Sequence, residues 1–92
     1  MPTGPYDPTG KRWIAPPPWT PGAGQSFRKW IWELEGWSRL TGIPQDQRGV
    51  AVGLSLGGEA KKVAHTIGQA TLNTTAGLAM LLAKLEDLYG AD

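Results

Sequence analysis

Apolar positions recur every three or four residues in three stretches of the chain, and each stretch reads as an amphipathic helix. Over residues 25–39, Phe27, Trp30, Ile31, Leu34, Trp37 and Ser38 fall on one side at 100° per residue. Ser26 is placed to cap this helix. Lys29/Glu33 and Glu35/Arg39 are spaced as i,i+4 pairs on the remainder. Thr41-Gly42 ends it, and Pro44 suits the start of the next helix. Further on, Leu56, Ala60, Val63, Ala64 and Ile67 share a face, with Glu59, Lys61, Lys62 and His65 pointing away and Gly68 at the end. In the last stretch Leu78, Leu81, Leu82, Leu85, Leu88 and Tyr89 keep the same spacing. Asn73, Thr74 and Thr75 offer N-caps there, and Gly90 a stop.

The segment from Val50 to Leu56 alternates larger and smaller residues, which is a strand signal. No second strand candidate follows, and a lone strand leaves its backbone unpaired. A short, buried central helix fits better. The expectation is therefore an all-α fold: a compact bundle of about four helices over residues 25–90, preceded by an extended arm rich in proline and glycine over residues 1–24.

Seven of the eight prolines lie in that arm, where they forbid a helix; Pro16-Pro17-Pro18 favours polyproline II. Yet the arm also carries Tyr6, Trp13, Ile14 and Trp19, more apolar surface than a linker needs. Trp13 to Trp19 are expected to lie against the helices, and residues 1–11 to stay free.

Composition narrows the chemistry. Ninety-two residues make one domain. With no cysteine there are no disulfides, iron–sulfur clusters or thiolate zinc sites, and a single histidine argues against a zinc site or a Ser-His-Asp triad. His65 sits among Lys61, Lys62 and Gln69 and reads as a solvated side chain; so do the adjacent Glu86 and Asp87. Gly53 to Gly58 lacks the lysine and spacing of a phosphate loop. A net charge of +1 gives no strong nucleic-acid footprint, and the dibasic pairs Lys11-Arg12 and Lys61-Lys62 are too few to make one. No apolar run approaches the roughly 18 residues of a membrane span, and the N-terminus does not read as a signal peptide. A cytoplasmic, non-enzymatic domain with no cofactor is the expectation, since no nucleophile–base–orienter set can be assembled.

The tryptophans carry the most information. Trp30 and Trp37 belong to the apolar face, whereas Trp32 lies about 140° from Phe27 on the polar side. The arm, another helix or a partner must cover it, internal cover being the simplest reading; Arg28, four residues earlier, offers a cation–π pair. Trp13, Trp19 and Trp32 are the candidate interface residues, because tryptophan is enriched where binding energy concentrates.

Leu56-Gly57-Gly58-Glu59-Ala60 resembles the L-x-G-x-A signature of Gag capsid domains from long-terminal-repeat retrotransposons. Phe27-Arg28-Lys29-Trp30 resembles the F-x-x-W that opens an earlier helix in that family, and Thr41-Gly42-Ile43-Pro44 its threonine-containing turn and I-P. Gly77-Leu78 through Tyr89 is similar to its G-L-x-x-L-L-x-x-L-x-x-x-Y pattern. The resemblance covers roughly residues 16–90, with Phe27, Trp30, Leu34, Leu56, Gly58, Ala60, Leu78 and Leu85 as motif and core positions. It implies the N-terminal lobe of a capsid protein, which self-associates into shells around element RNA. A neuronal, domesticated relative implies an alternative: a monomeric adapter whose apolar groove, edged by the arm, takes a peptide. The family's zinc knuckle and second helical lobe have no counterpart in these residues, so RNA would be reached only indirectly. A fragment or a reduced descendant is the corresponding expectation.

Overall fold

The computed structural model describes residues 14–91, which form five helices: α1 (Phe27–Leu40), α2 (Gln45–Ser55), α3 (Gly58–Ile67), α4 (Gln69–Leu72) and α5 (Gly77–Tyr89). The fold is all-α, as the periodicity implies. Ser26 caps α1, its Oγ accepting from the Lys29 N–H at 3.1 Å. Pro44 precedes α2, the central helix of the ambiguous 50–56 stretch. Gly68 ends α3 at φ 91°, a conformation that glycine adopts without steric cost.

Beside the four expected helices stands a single turn, α4, which has no periodic signature, being only four residues long. One local expectation fails. The cap of α5 is Ala76, not Asn73, Thr74 or Thr75. Thr74 turns the other way: its Oγ1 donates to the Thr71 carbonyl at 2.8 Å, while its own carbonyl accepts from the Gly77 N–H at 3.0 Å. The threonine thus finishes α4 rather than opening α5.

Seven of the eight expected motif and core positions are buried, Phe27, Trp30, Leu34, Leu56, Ala60, Leu78 and Leu85, joined by Leu81, Trp19, Trp37, Val52 and Leu72; the eighth, Gly58, is exposed. α2 packs most extensively on α5, with α3 and α4 beside them. That approach requires Gly49: a Cβ there would lie 2.5 Å from the Leu72 carbonyl oxygen and 2.9 Å from the Gly77 backbone. α1 stands further off, and its Trp and Phe side chains fill the gap. Its N-terminal turn is tied to the end of α5 by Arg28, which donates to both Glu86 carboxylate oxygens at 2.9 and 2.7 Å and to the Gly90 carbonyl at 2.8 Å. The expected Lys29/Glu33 and Glu35/Arg39 pairs do not form; among the described residues the ion pairs are Arg28–Glu86 and Lys62–Glu59. Long exposed side chains gain too little from such pairing to be held in one rotamer.

Trp30→Ala should lower stability by roughly 3–5 kcal/mol in urea unfolding, the range for emptying a large aromatic site. Two glycines should respond with opposite signs. Gly49→Ala should cost about 1–3 kcal/mol through overpacking against backbone. Gly36→Ala, where an added Cβ meets nothing within 4 Å, should stabilise α1 by up to about 1 kcal/mol. Thermal melts of both variants check the pair.

Candidate functional site

The arm is fastened by indole groups. Residues 14–18 have no helix or strand pairing, as three successive prolines impose. Their carbonyls are taken up by α1: Trp37 Nε1 donates to the Ile14 carbonyl at 2.6 Å and Trp30 Nε1 to the Pro17 carbonyl at 2.9 Å. The spacings agree. Three residues of polyproline II advance about 9 Å, and seven residues of α-helix about 10 Å. At the end of this segment Trp19 forms an isolated parallel bridge with Leu56, its carbonyl accepting from the Gly57 N–H at 2.9 Å.

The Trp19 ring stacks on Trp30 at 5.4 Å between centroids and meets Phe27 and Tyr89 edge-on at 5.5 and 5.2 Å. Its Nε1 donates to the Gln25 carbonyl at 2.9 Å. Trp19 is therefore a core residue, 4% exposed, and not the contact residue expected. Burial of a ring in an aromatic cage with its one donor satisfied leaves nothing for a partner to gain. Docking of the arm holds for Ile14 to Trp19; Trp13 and residues 1–11, with Lys11-Arg12, lie outside the described residues.

The L-x-G-x-A segment has a physical meaning in this setting. Leu56 is buried and pairs with the arm, and Ala60 is fully buried. Gly58 opens α3 at φ 59°, where a Cβ would also crowd the Thr20 methyl at 3.2 Å.

Two outer surfaces remain. On α1, Trp32 is 72% exposed and Leu40 65%, so none of the described residues supplies the internal cover favoured for Trp32. Nor is the cation–π pair with Arg28, whose guanidinium is committed to Glu86 and Gly90. Between Trp32 and Leu40 the helix surface dips over Gly36, forming a shallow depression that Glu35, Trp37 and Arg39 also border.

The second surface is a groove between α2, α3 and α4. Val50, Gly53, Ala64 and Leu72 line one part of about 360 Å³, and Ile43, Ala51 and Ala70 the adjoining part; Leu54 and Gln69 border both. Among the described residues no arm residue lines it; its walls are α2, α3, α4 and the turns beside them. His65 is exposed, as its polar face implies, and stands with Lys61 at one end of this groove. Sequence reasoning missed the groove because it arises where α2 meets α4; its one visible signal is Leu54, 60% exposed beside the buried Val52 and Gly53. Among the described residues, no three or more acidic or histidine side chains converge as metal ligands would. Nor is any helix there long and apolar enough to cross a membrane.

Comparison with known proteins gives no match, whether to a family model, a curated protein or a solved structure.

Trp37→Phe keeps an aromatic ring but gives up the pyrrole half of the indole and with it the donor to Ile14. It should cost at least about 0.5–1.5 kcal/mol, the usual net contribution of one hydrogen bond, with the lost buried volume adding to it. An unchanged urea midpoint would mean that this bond does not hold the arm.

Proposed function

We propose that this chain is a structural, self-associating lobe of the Gag capsid type, cytoplasmic and non-enzymatic, acting through weak contacts repeated between copies. Element RNA would be packaged through other modules of a longer assembly. The observation that carries this reading is Trp32. The folded lobe satisfies the indole N–H of Trp19, Trp30 and Trp37 internally, yet leaves the Trp32 side chain 72% exposed, on the helix face turned away from the core. A large apolar side chain kept outside a small folded domain is what a contact between copies uses. The motif positions add support through their packing roles: Leu56 and Ala60 are buried, and Gly58 has a positive φ. A single lobe has room for only small interfaces, and interfaces under about 1,200 Å² are typically transient. Symmetry then multiplies them.

A second reading has its own observation. The groove between α2, α3 and α4, with Leu54 exposed at its edge, suits an adapter that takes an apolar peptide.

Sedimentation equilibrium over a hundredfold concentration range distinguishes the two. The capsid reading expects monomers at micromolar concentration and weak association as concentration rises, strengthened by excluded salts such as sulfate. Trp32→Ala should abolish that association with the fold intact. Strictly monomeric behaviour throughout, with tight binding of an apolar peptide lost in Leu54→Asp, would instead establish the adapter.

A further inference from the structure

The outer face of α1 is complementary to itself. Trp32, Gly36 and Leu40 form one i, i+4, i+8 row on the face turned from the core, and Glu35 and Arg39 form the next row beside it. All but Gly36 are exposed, and Gly36 is partly so. Among the described residues, Glu35 and Arg39 take part in no ion pair. We propose that this face is a two-fold interface between two copies of the chain, their α1 helices crossing nearly antiparallel at Gly36.

The occupant follows from the arrangement of shape and charge. With Gly36 at the crossing, Trp32 of one copy lies opposite the partner's Leu40, and Leu40 opposite the partner's Trp32. Glycine at the crossing lets the two backbones approach, and an added Cβ there would meet open space in the single chain. Two antiparallel helices bring the same flank together. Glu35 therefore meets the partner's Arg39 within about 3 Å of axial register, and Arg39 meets the partner's Glu35. One two-fold thus makes two ion pairs at the rim of one apolar centre. A parallel copy would bring unlike flanks together and lose both pairs. Of the remaining charges nearby, Arg28 is held by Glu86, Glu33 accepts from Gln25 at 2.9 Å, and Lys29 lies on the opposite flank. This inference rests on the self-association proposed above and deepens it by fixing the face, the symmetry and the register.

A charge exchange in the full chain, read by sedimentation equilibrium at low salt, tests it. Glu35→Arg and Arg39→Glu should each weaken association about tenfold, since each sets like charges opposite one another twice. The double variant E35R/R39E should return to within about threefold of the original, because the pairs are re-formed with signs exchanged. These differences should shrink as salt rises. Gly36→Leu should block the close approach while leaving the monomer's thermal midpoint within a few degrees, and so tests the crossing without any change of charge. A double variant no tighter than the singles, or a Gly36→Leu chain that associates normally, would overturn the interface. If association survives every α1 variant but fails in Leu54→Asp, self-association stands and this face is wrong. If the unaltered chain never associates, the self-association reading falls and takes the interface with it.

Discussion

An indole nitrogen only donates, and a proline-rich segment has carbonyls but few N–H groups to offer. The lobe is built on that complementarity. Trp30 and Trp37 supply donors from α1 to the Pro17 and Ile14 carbonyls, and Trp19 closes the set on Gln25. Each bond satisfies an indole that would otherwise be buried with its donor unpaired. The rings then fill the space between α1 and the helices packed around α5, where backbones do not approach closely. Removing the arm would uncover Trp30 and Trp37 and leave their two donors without the Pro17 and Ile14 carbonyls, so the arm belongs to the core although it carries no regular secondary structure.

That dependence also shapes the outer surface. Once the tryptophans at 30 and 37 are spent inward on core and arm, the tryptophan at 32 has no inward route, because two residues of helix turn it far around the axis. Arg28, the neighbour one turn earlier, is drawn to the end of α5. The exposed row on α1 is thus a direct counterpart of the buried one.

Much of this was legible in the chain. Periodicity identified α1, α3 and α5, and competition between strand and helix signals resolved toward α2 because no second strand candidate follows it in the sequence. The single turn α4 escaped because four residues carry no period, and the Thr74 side chain, bonded back to Thr71, cannot be told from a cap by composition. That Trp32 lies off the apolar face was legible from its angle; that it is exposed was not, internal cover being the simpler reading. Trp19 was read two ways, as part of the docked segment and as a contact residue, and the aromatic cage of Phe27, Trp30 and Tyr89 decides for the first. The groove between α2, α3 and α4 depends on which helices meet, which local pattern does not encode.

The arm's fastening has a degeneracy built into it. Polyproline II repeats every three residues, so sliding the arm by one repeat presents fresh carbonyls to Trp30 and Trp37 in nearly the same places. Backbone bonds of this kind read a shape but not a position. Trp19 removes the ambiguity: its ring fits one cage, and its carbonyl meets Gly57 at one point. Ala15 and Pro18, both exposed, are consequently free to vary wherever the extended shape is kept. Trp19 acts as the index mark, fixing a uniform ribbon at a single setting.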